Sequence, residues 1–275
     1  MENKKESRTR IKVGLALGGG GWRGLAHVGV LKVLEKNNIP IDFIAGTSAG
    51  ALIGGLYSYF GNSEDLEKFI LKFGYRDLIK IGLDPKLKTG LIKGKKFIQY
   101  INDLTNHINI EDLKIPFRAV SSDLISGKSV YIGSGNLAEA IKNSGSVPVI
   151  FQPTCKEGMC LVDGGITENI PVRCVKDMGA EFIIAVNLNA HFFPMCEENV
   201  KSSSRIALVT TRVMLDQLSK LLVREADVLI EPTIVKKDIK FSLSYLLKFV
   251  KEKEIIKVGE RETEKAIKSI KKKLK

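Results

Sequence analysis

Short runs that are apolar throughout alternate with helical segments along this chain. IKVGLAL (from Ile11), IDFIAG and FIIAVNL have strand length, and PFRAVSSDL, KSVYIG and DVLIEP are further predicted strands. Helical patterns separate them, for example near LAEAIKNS, PVRCVKDMG and SRIALVTTRVMLDQLSKLLVRE. Apolar strands separated by helices are typical of a parallel sheet that is covered on both faces. The sequence therefore predicts a three-layer α/β/α domain with a mostly parallel central sheet.

The charge is concentrated at the two ends of the chain. The formal net charge is +12, of which Lys236–Lys275 carry 14 − 6 = +8 and Met1–Lys12 carry 5 − 2 = +3. We expect a basic tail over residues 1–10, the α/β domain over 11–235 and a basic helical extension over 236–275. Basic ends of this kind favour binding to an anionic surface, either a membrane or a nucleic acid. The lysine run KSIKKKLK lacks interleaved aromatic residues, which favours a membrane over nucleic acid. A solvated tail without a partner is the alternative.

The cysteines and the N-terminal segment indicate a cytoplasmic protein. Cys155, Cys160, Cys174 and Cys196 form no zinc-binding pattern with each other or with a histidine, so we expect thiols and no metal. MENKKESRTRIK lacks the apolar segment of a secretory signal. No apolar run approaches the roughly 20 residues of a membrane-spanning helix.

Two glycine-containing motifs each follow a predicted strand and precede a predicted helix. They are GGGGWRG at 18–24 and GTSAG at 46–50. Such turns lie where ligands bind in parallel sheets. Gly19, Gly21 and Gly24 also match the dinucleotide pattern G-x-G-x-x-G, but Asp42 stands at the start of the second strand rather than at its far end. A phosphate loop is not supported either, because GLIKGKKF has the wrong spacing. We therefore expect no organic cofactor.

GTSAG is better explained by a serine nucleophile at Ser48. A sharp strand-to-helix turn exposes one side chain, and the residues two before and two after it must be small, as Gly46 and Gly50 are. The helix that follows favours developing negative charge near the serine. The alternative is a glycine-rich packing turn without chemistry.

A serine nucleophile also needs an oxyanion hole and a base. Successive glycines in GGGGWRG allow backbone N–H groups to converge on one point, and Arg23 adds a positive charge there. The candidate bases are Asp163 in LVDGGI, Asp123 in SSDLISG and His191, which follows FIIAVNL in the order of an α/β-hydrolase triad. A buried carboxylate can accept the serine proton directly. His27 and His107 are expected to be structural or exposed.

GGGGWRG, GTSAG and DGG in this order resemble the patatin-like phospholipase family, bacterial members in particular, from about Ile11 to past Pro232. The resemblance implies a Ser–Asp dyad of Ser48 and Asp163 without histidine, and an oxyanion hole at Gly19, Gly20 and Gly21. The family's basic position falls on Arg23, and the remaining motif glycines are Gly24, Gly46, Gly50, Gly164 and Gly165. Trp22 is a departure, because bacterial relatives often carry a small residue there.

The chain is thus expected to be a cytoplasmic serine hydrolase that acts on lipids, of phospholipase A or lysophospholipase type, with an acyl-enzyme intermediate. Peripheral contact with the inner membrane face would follow from the basic ends, with FSLSYLLKFV adding apolar contact or packing on the domain. Residues 74–94 are either a cap over the site or a connecting segment. The alternatives are a His191-dependent esterase and a catalytically silent lipid-binding protein.

Overall fold

The computed structural model describes residues 10–72, 92–148, 150–189, 203–233 and 253–274. The strands are β1 (Val13–Leu17), β2 (Phe43–Thr47), β3 (Phe117–Asp123), β4 (Ser129–Ile132), β5 (Thr154–Lys156), β6 (Met159–Asp163), β7 (Phe182–Val186) and β8 (Val228–Ile230). The α-helices are α1 (Leu25–Lys36), α2 (Ala49–Phe60), α3 (Ser63–Lys72), α4 (Lys95–Thr105), α5 (Leu137–Ser144), α6 (Gly165–Glu168), α7 (Val172–Asp177), α8 (Ser203–Leu222) and α9 (Lys253–Lys273).

The eight strands form one sheet in which the pairing runs β5–β6–β3–β2–β1–β7–β8, with β4 also paired to β3. Strands β3, β2, β1, β7 and β8 are mutually parallel, and β4, β5 and β6 are joined by antiparallel pairing. The sheet is therefore mostly parallel, as the apolar strands predict.

Helices cover both faces of this sheet. Alternate side chains of β1 enter different clusters: Leu15 and Leu17 belong to the larger core with α1, α2 and α9, and Ala16 to the smaller core with α7. All three side chains are completely buried. Burial on both sides explains why the strand is apolar at every position. The three-layer α/β/α fold is confirmed.

Strands β2 and β6 run towards each other along the same edge of β3. Thr47 of β2 is opposite Val120, and Asp163 of β6 is opposite Ser121, the next residue of β3. Strand β4 pairs with both Val120 and Ser121, so it occupies the other edge of β3. The ends of β2 and β6 consequently meet, and the residue after Thr47 is brought beside Asp163.

Helix α9, in the segment predicted as a basic extension, packs into the main core. Ile255, Ile256 and Ile270 are buried there. Gly259 crosses α1 so closely that a Cβ atom would lie 2.0 Å from the carbonyl oxygen of Ala26. In the described part of the segment, the lysines therefore stand on the outer face of a core helix rather than on a free tail.

The cysteine expectation is wrong for one pair. Cys155 and Cys160 are directly opposite each other on β5 and β6 and are bonded as a disulfide, because the hairpin brings their side chains together. Cys174 is a buried free thiol, and Cys196 lies outside the described residues. So do most of the predicted cap at 74–94 and all of FSLSYLLKFV. Among the described helices, none combines the length and the apolar character needed to cross a membrane.

Candidate active site

Ser48 occupies a sharp turn between β2 and α2. Its φ angle is 53°, in the left-handed region that a serine rarely adopts. The turn leaves no room for side chains around it: a Cβ atom on Gly46 would lie 2.4 Å from the carbonyl oxygen of Gly50, and one on Gly50 would lie 2.0 Å from that of Leu17. The two motif glycines are therefore required by close backbone contacts, and Ser48 projects from the turn half-buried.

A buried serine holds this turn in place from helix α5. The backbone N–H of Ser48 donates to Oγ of Ser144 at 2.9 Å, and that hydroxyl donates to the carbonyl oxygen of Val120 at 2.5 Å. Ser144 is completely buried. The strained backbone is thus tied to β3, the strand on which β2 and β6 meet. Ser144 was not predicted from the sequence, because a serine at the end of a predicted helix carries no distinctive signal.

Asp163 lies beside Ser48 with its side chain almost completely buried. Its carboxylate lies within hydrogen-bonding reach of the Ser48 side chain and accepts a hydrogen bond from the backbone N–H of Gly165 at 2.8 Å. Burial raises the pKa of Asp163 from 3.8 to about 6, although these two neighbours act in the opposite direction. A Cβ atom on Gly164 would lie 2.1 Å from the carbonyl oxygen of Val120. In the DGG motif, a buried carboxylate with a raised pKa is thus followed by a glycine that lets the backbone pass close to β3.

The glycine loop between β1 and α1 lies directly against Ser48. A Cβ atom on Gly19 would be 3.3 Å from Cβ of Ser48. The N–H of Gly19, however, donates to the carbonyl oxygen of Asn169 at 2.9 Å, so Gly19 cannot serve as an oxyanion donor in this conformation. The N–H groups of Gly20 and Gly21 have no acceptor among the described residues. Of the three predicted oxyanion donors, Gly20 and Gly21 therefore remain candidates.

The remaining residues of the glycine motif pack inwards. Arg23 is 7% exposed, and its Nε donates to the carbonyl oxygen of Gly20 at 3.2 Å. Trp22 is 5% exposed and belongs to the main core. A Cβ atom on Gly24 would lie 2.6 Å from Cβ of Ala49, at the start of α2. The motif thus also fixes the distance between the loop and the helix that follows Ser48.

The alternative bases occupy other environments. Asp123 accepts hydrogen bonds from the backbone N–H groups of Cys160, Ile125 and Ser126, and these bonds hold its pKa well below the ordinary range. It thereby shapes a turn. His27 is completely buried, which lowers its pKa to about 4, and its Nε2 contacts the carbonyl oxygen of Gly18 at 2.8 Å.

His107 is exposed after α4, and His191 lies outside the described residues. In the part of the chain that the structure describes, no group of three or more His, Cys, Asp or Glu side chains could hold a metal ion.

Residues 15–175 match the family model described as "Patatin-like phospholipase". This range contains the glycine loop, Ser48 and Asp163. It covers more than half of the chain, so the match does not depend on the short motifs alone.

Relatives with similar sequences include bacterial and fungal proteins. An uncharacterized NTE family protein of Mycobacterium tuberculosis (strain H37Rv) is 36% identical over 179 residues, which are 65% of this chain and 49% of that protein. Lysophospholipase nte1 of Emericella nidulans is 35% identical over 181 residues, which are 65% of this chain and 12% of that protein. The chain thus spans at most about half the length of these relatives. Among solved structures, VipD of Legionella pneumophila has a similar fold, with a TM-score of 0.51, 14% identity and coverage of 94% of this chain and 67% of VipD.

Proposed function

Because the chain belongs to the patatin-like phospholipase family, we propose that it is a serine hydrolase of lipid acyl esters, of phospholipase A or lysophospholipase type. The observation that carries this proposal is the position of Ser48 beside the buried carboxylate of Asp163, next to a glycine loop with two N–H groups that have no acceptor among the described residues. The name of the Emericella nidulans relative, a lysophospholipase, supports the choice of substrate class.

In the proposed reaction, Oγ of Ser48 attacks the ester carbonyl carbon while Asp163 accepts the hydroxyl proton. The N–H groups of Gly20 and Gly21 stabilise the negative charge that develops on the carbonyl oxygen. The protonated Asp163 then gives its proton to the departing alcohol or lysolipid, and an acyl-enzyme remains on Ser48. Water attacks this ester with Asp163 again as the base, which releases the fatty acid and restores the serine.

The raised pKa of Asp163 suits a base without a histidine partner. An ordinary carboxylate is a weak acceptor for a serine proton, and burial brings its pKa closer to the working pH. Of the described histidines, His27 is directed to Gly18 and His107 is exposed in the turn after α4. The described residues therefore favour a dyad over a triad, and a His191→Ala variant tests the alternative directly.

The substrate class is tested by product analysis. The purified protein, Ser48→Ala and Asp163→Asn are incubated with phospholipids and lysophospholipids of defined acyl chains, and the released fatty acids are identified by mass spectrometry. We expect release by the wild type and almost none by either variant. Asp123→Asn is the control for loss of a carboxylate outside the dyad, and its milder effect would separate catalysis from folding. A wild type that binds these lipids without cleaving them would instead identify a silent lipid-binding protein.

We also propose that the protein contacts an anionic membrane surface peripherally, through the lysines near its C-terminus. Deleting residues 268–275 would be a poor test, since it would remove the buried Ile270. Lys271 and Lys273 donate to Asn37 and to the carbonyl oxygen of Asp227, so they are also poor targets.

Lys268 and Lys272 are exposed on α9 and are the better positions to change. We expect a Lys268→Gln/Lys272→Gln variant to bind phosphatidylglycerol vesicles more weakly than the wild type at low salt, with unchanged turnover of a water-soluble ester. Each lysine near such a surface contributes about 1 kcal/mol at most. Co-sedimentation measures the difference, and equal binding of both proteins would indicate that these lysines have no membrane partner.

A further inference from the structure

The turn that follows β7 lies against the glycine loop and presents an asparagine to it. Nδ2 of Asn189 donates to the carbonyl oxygen of Gly19 at 2.9 Å, and Oδ1 accepts a short hydrogen bond from Nη2 of Arg23. Leu188 fills the space beside the loop, since a Cβ atom on Gly20 would lie 2.8 Å from Cβ of Leu188. One side chain amide therefore connects the buried arginine of the motif to the backbone of the loop.

The orientation of this amide is determined by its partners. A guanidinium group only donates hydrogen bonds and a carbonyl oxygen only accepts them, so Oδ1 must face Arg23 and Nδ2 must face Gly19. The backbone of Asn189 is also held, because its N–H donates to Oδ1 of Asn187 at 2.9 Å. Asn187 is tied in turn to β8 by the bond from its N–H to the carbonyl oxygen of Ile230 at 2.9 Å. The amide thus stands on a rigid support at the end of two strands.

These contacts act on the peptide units that carry the two uncommitted N–H groups. In a trans peptide, the carbonyl of one residue and the N–H of the next point in opposite directions. Asn189 holds the carbonyl of Gly19 and thereby directs the N–H of Gly20 away from itself. Arg23 holds the carbonyl of Gly20 at 3.2 Å and does the same for the N–H of Gly21. Both proposed oxyanion donors are set by a bond at the other end of their peptide.

We propose that Asn189 is a positioning residue that orients the Gly19–Gly20 peptide for oxyanion stabilisation, acting together with Arg23. This inference rests on the proposed hydrolase function. Asn189 does not contact the reacting atoms; it acts through the backbone of the loop. Glycine has more accessible backbone conformations than other residues. The hydrogen bond from the Asn189 amide restricts the Gly19–Gly20 peptide to one orientation.

Asn189→Asp is the most informative substitution. The carboxylate keeps an acceptor for Arg23 but has no donor for the carbonyl of Gly19, which it repels. Asn189→Ala removes both bonds. Loss of a whole oxyanion donor typically lowers kcat about 10²–10³-fold. We expect a smaller loss of about 10–100-fold in kcat for both variants on a soluble ester, since the donor is misoriented rather than removed, with KM nearly unchanged.

A second measurement separates positioning from folding. Affinity for a trifluoromethyl ketone, whose adduct on the serine carries an oxyanion, should fall in parallel with kcat. The apparent pKa of the rate should stay the same, because Asp163 is untouched. Asn62→Ala is the matched control: its Oδ1 accepts the backbone N–H of Asp65 at 2.8 Å at the start of α3, away from the site. This control should keep the wild-type kcat.

Ser48→Ala, measured in the same series, distinguishes failure of this inference from failure of the proposed function. If Ser48→Ala is inactive but Asn189→Asp keeps kcat within about twofold of wild type, the positioning role is wrong while the hydrolase assignment stands. An Asn189→Asp variant that loses kcat without losing affinity for the ketone also contradicts it. If Ser48→Ala retains full activity, the proposed function fails and the inference fails with it.

Discussion

Asp163→Asn should abolish activity and should also make the protein more stable, relative to wild type, as the pH rises. Asparagine has the same shape, and its Oδ1 can still accept the N–H of Gly165. What it lacks is the charge. Burial raises the pKa of Asp163 from 3.8 to about 6 in the folded protein. Ionising this group in the fold is therefore less favourable than ionising it in the unfolded chain.

The magnitude follows from this difference in pKa. A rise of about two pH units corresponds to ~3 kcal/mol of folding free energy. The contribution of Asp163 to the stability of the fold is fully present below the unfolded pKa of 3.8. It is lost as the pH rises through the folded pKa of about 6. About 2 kcal/mol of the loss should develop between about pH 4.5 and about pH 8. For a chain of this size, that corresponds to a change of about 4–8 °C in Tm.

The assay is a pair of thermal denaturation curves for wild type and Asp163→Asn at each of these two pH values. Any fixed cost of burying the asparagine amide cancels in the comparison, so the informative quantity is the change in the Tm difference with pH. We expect the Tm of the variant, relative to that of wild type, to be higher at the higher pH. A Tm difference that is the same at both pH values would show that Asp163 carries no buried charge, and the mechanism would lose its base.

Three further outcomes are expected. In wild type, kcat/KM for a soluble ester should fall about tenfold per pH unit below about pH 6, because only ionised Asp163 accepts the serine proton; a flat profile down to pH 4.5 would contradict this. Gly50→Ala should lower kcat about 10²-fold or more. Its Cβ atom would lie 2.0 Å from the carbonyl oxygen of Leu17, so the turn must shift. Wild-type turnover would show that the turn tolerates a side chain. Gly259→Ala should lower the free energy of unfolding by roughly 3 kcal/mol, because the added Cβ atom separates α9 from α1. Denaturant titration measures this loss, and an unchanged midpoint would show that α9 is not part of the core.

The strands and the two glycine turns were predictable from the sequence for a local reason. A strand that is buried on both faces must be apolar at each position, and a strand-to-helix turn with a protruding serine excludes side chains on both flanks. Both constraints act within a few residues, so they leave a pattern that can be read from one segment. The placement of Ser48 followed from such a pattern, and its φ angle of 53° agrees with a sharp turn.

Features that depend on contacts between distant segments could not be predicted in this way. The N–H of Gly19 is taken by Asn169, about 150 residues away along the chain, and the carbonyl of the same glycine is held by Asn189. Neither asparagine stands in a pattern that indicates this partner. The same holds for α9, since its lysine content suggests a solvated tail, whereas its buried isoleucines pack against the main core.

The spacing of the sequence reduces the candidate carboxylates to Asp123 and Asp163 but does not distinguish between them. Asp123 and Asp163 both follow short apolar runs, and only their surroundings differ. Backbone N–H groups surround Asp123 and keep it ionised, whereas burial dominates at Asp163 and raises its pKa. The resemblance to the family selected Asp163, and its buried position beside the Ser48 side chain supplies a physical reason for that choice.

The proposed mechanism depends on activation of Ser48 by Asp163, and covalent labelling measures this activation. Wild type and Asp163→Asn are treated with a fluorophosphonate, and the modified peptide is identified and followed over time by mass spectrometry. We expect one adduct, on Ser48, that forms several orders of magnitude more slowly in Asp163→Asn, as is common when one member of a coupled pair is lost. An adduct on another residue, or equal labelling rates in the two proteins, would contradict it.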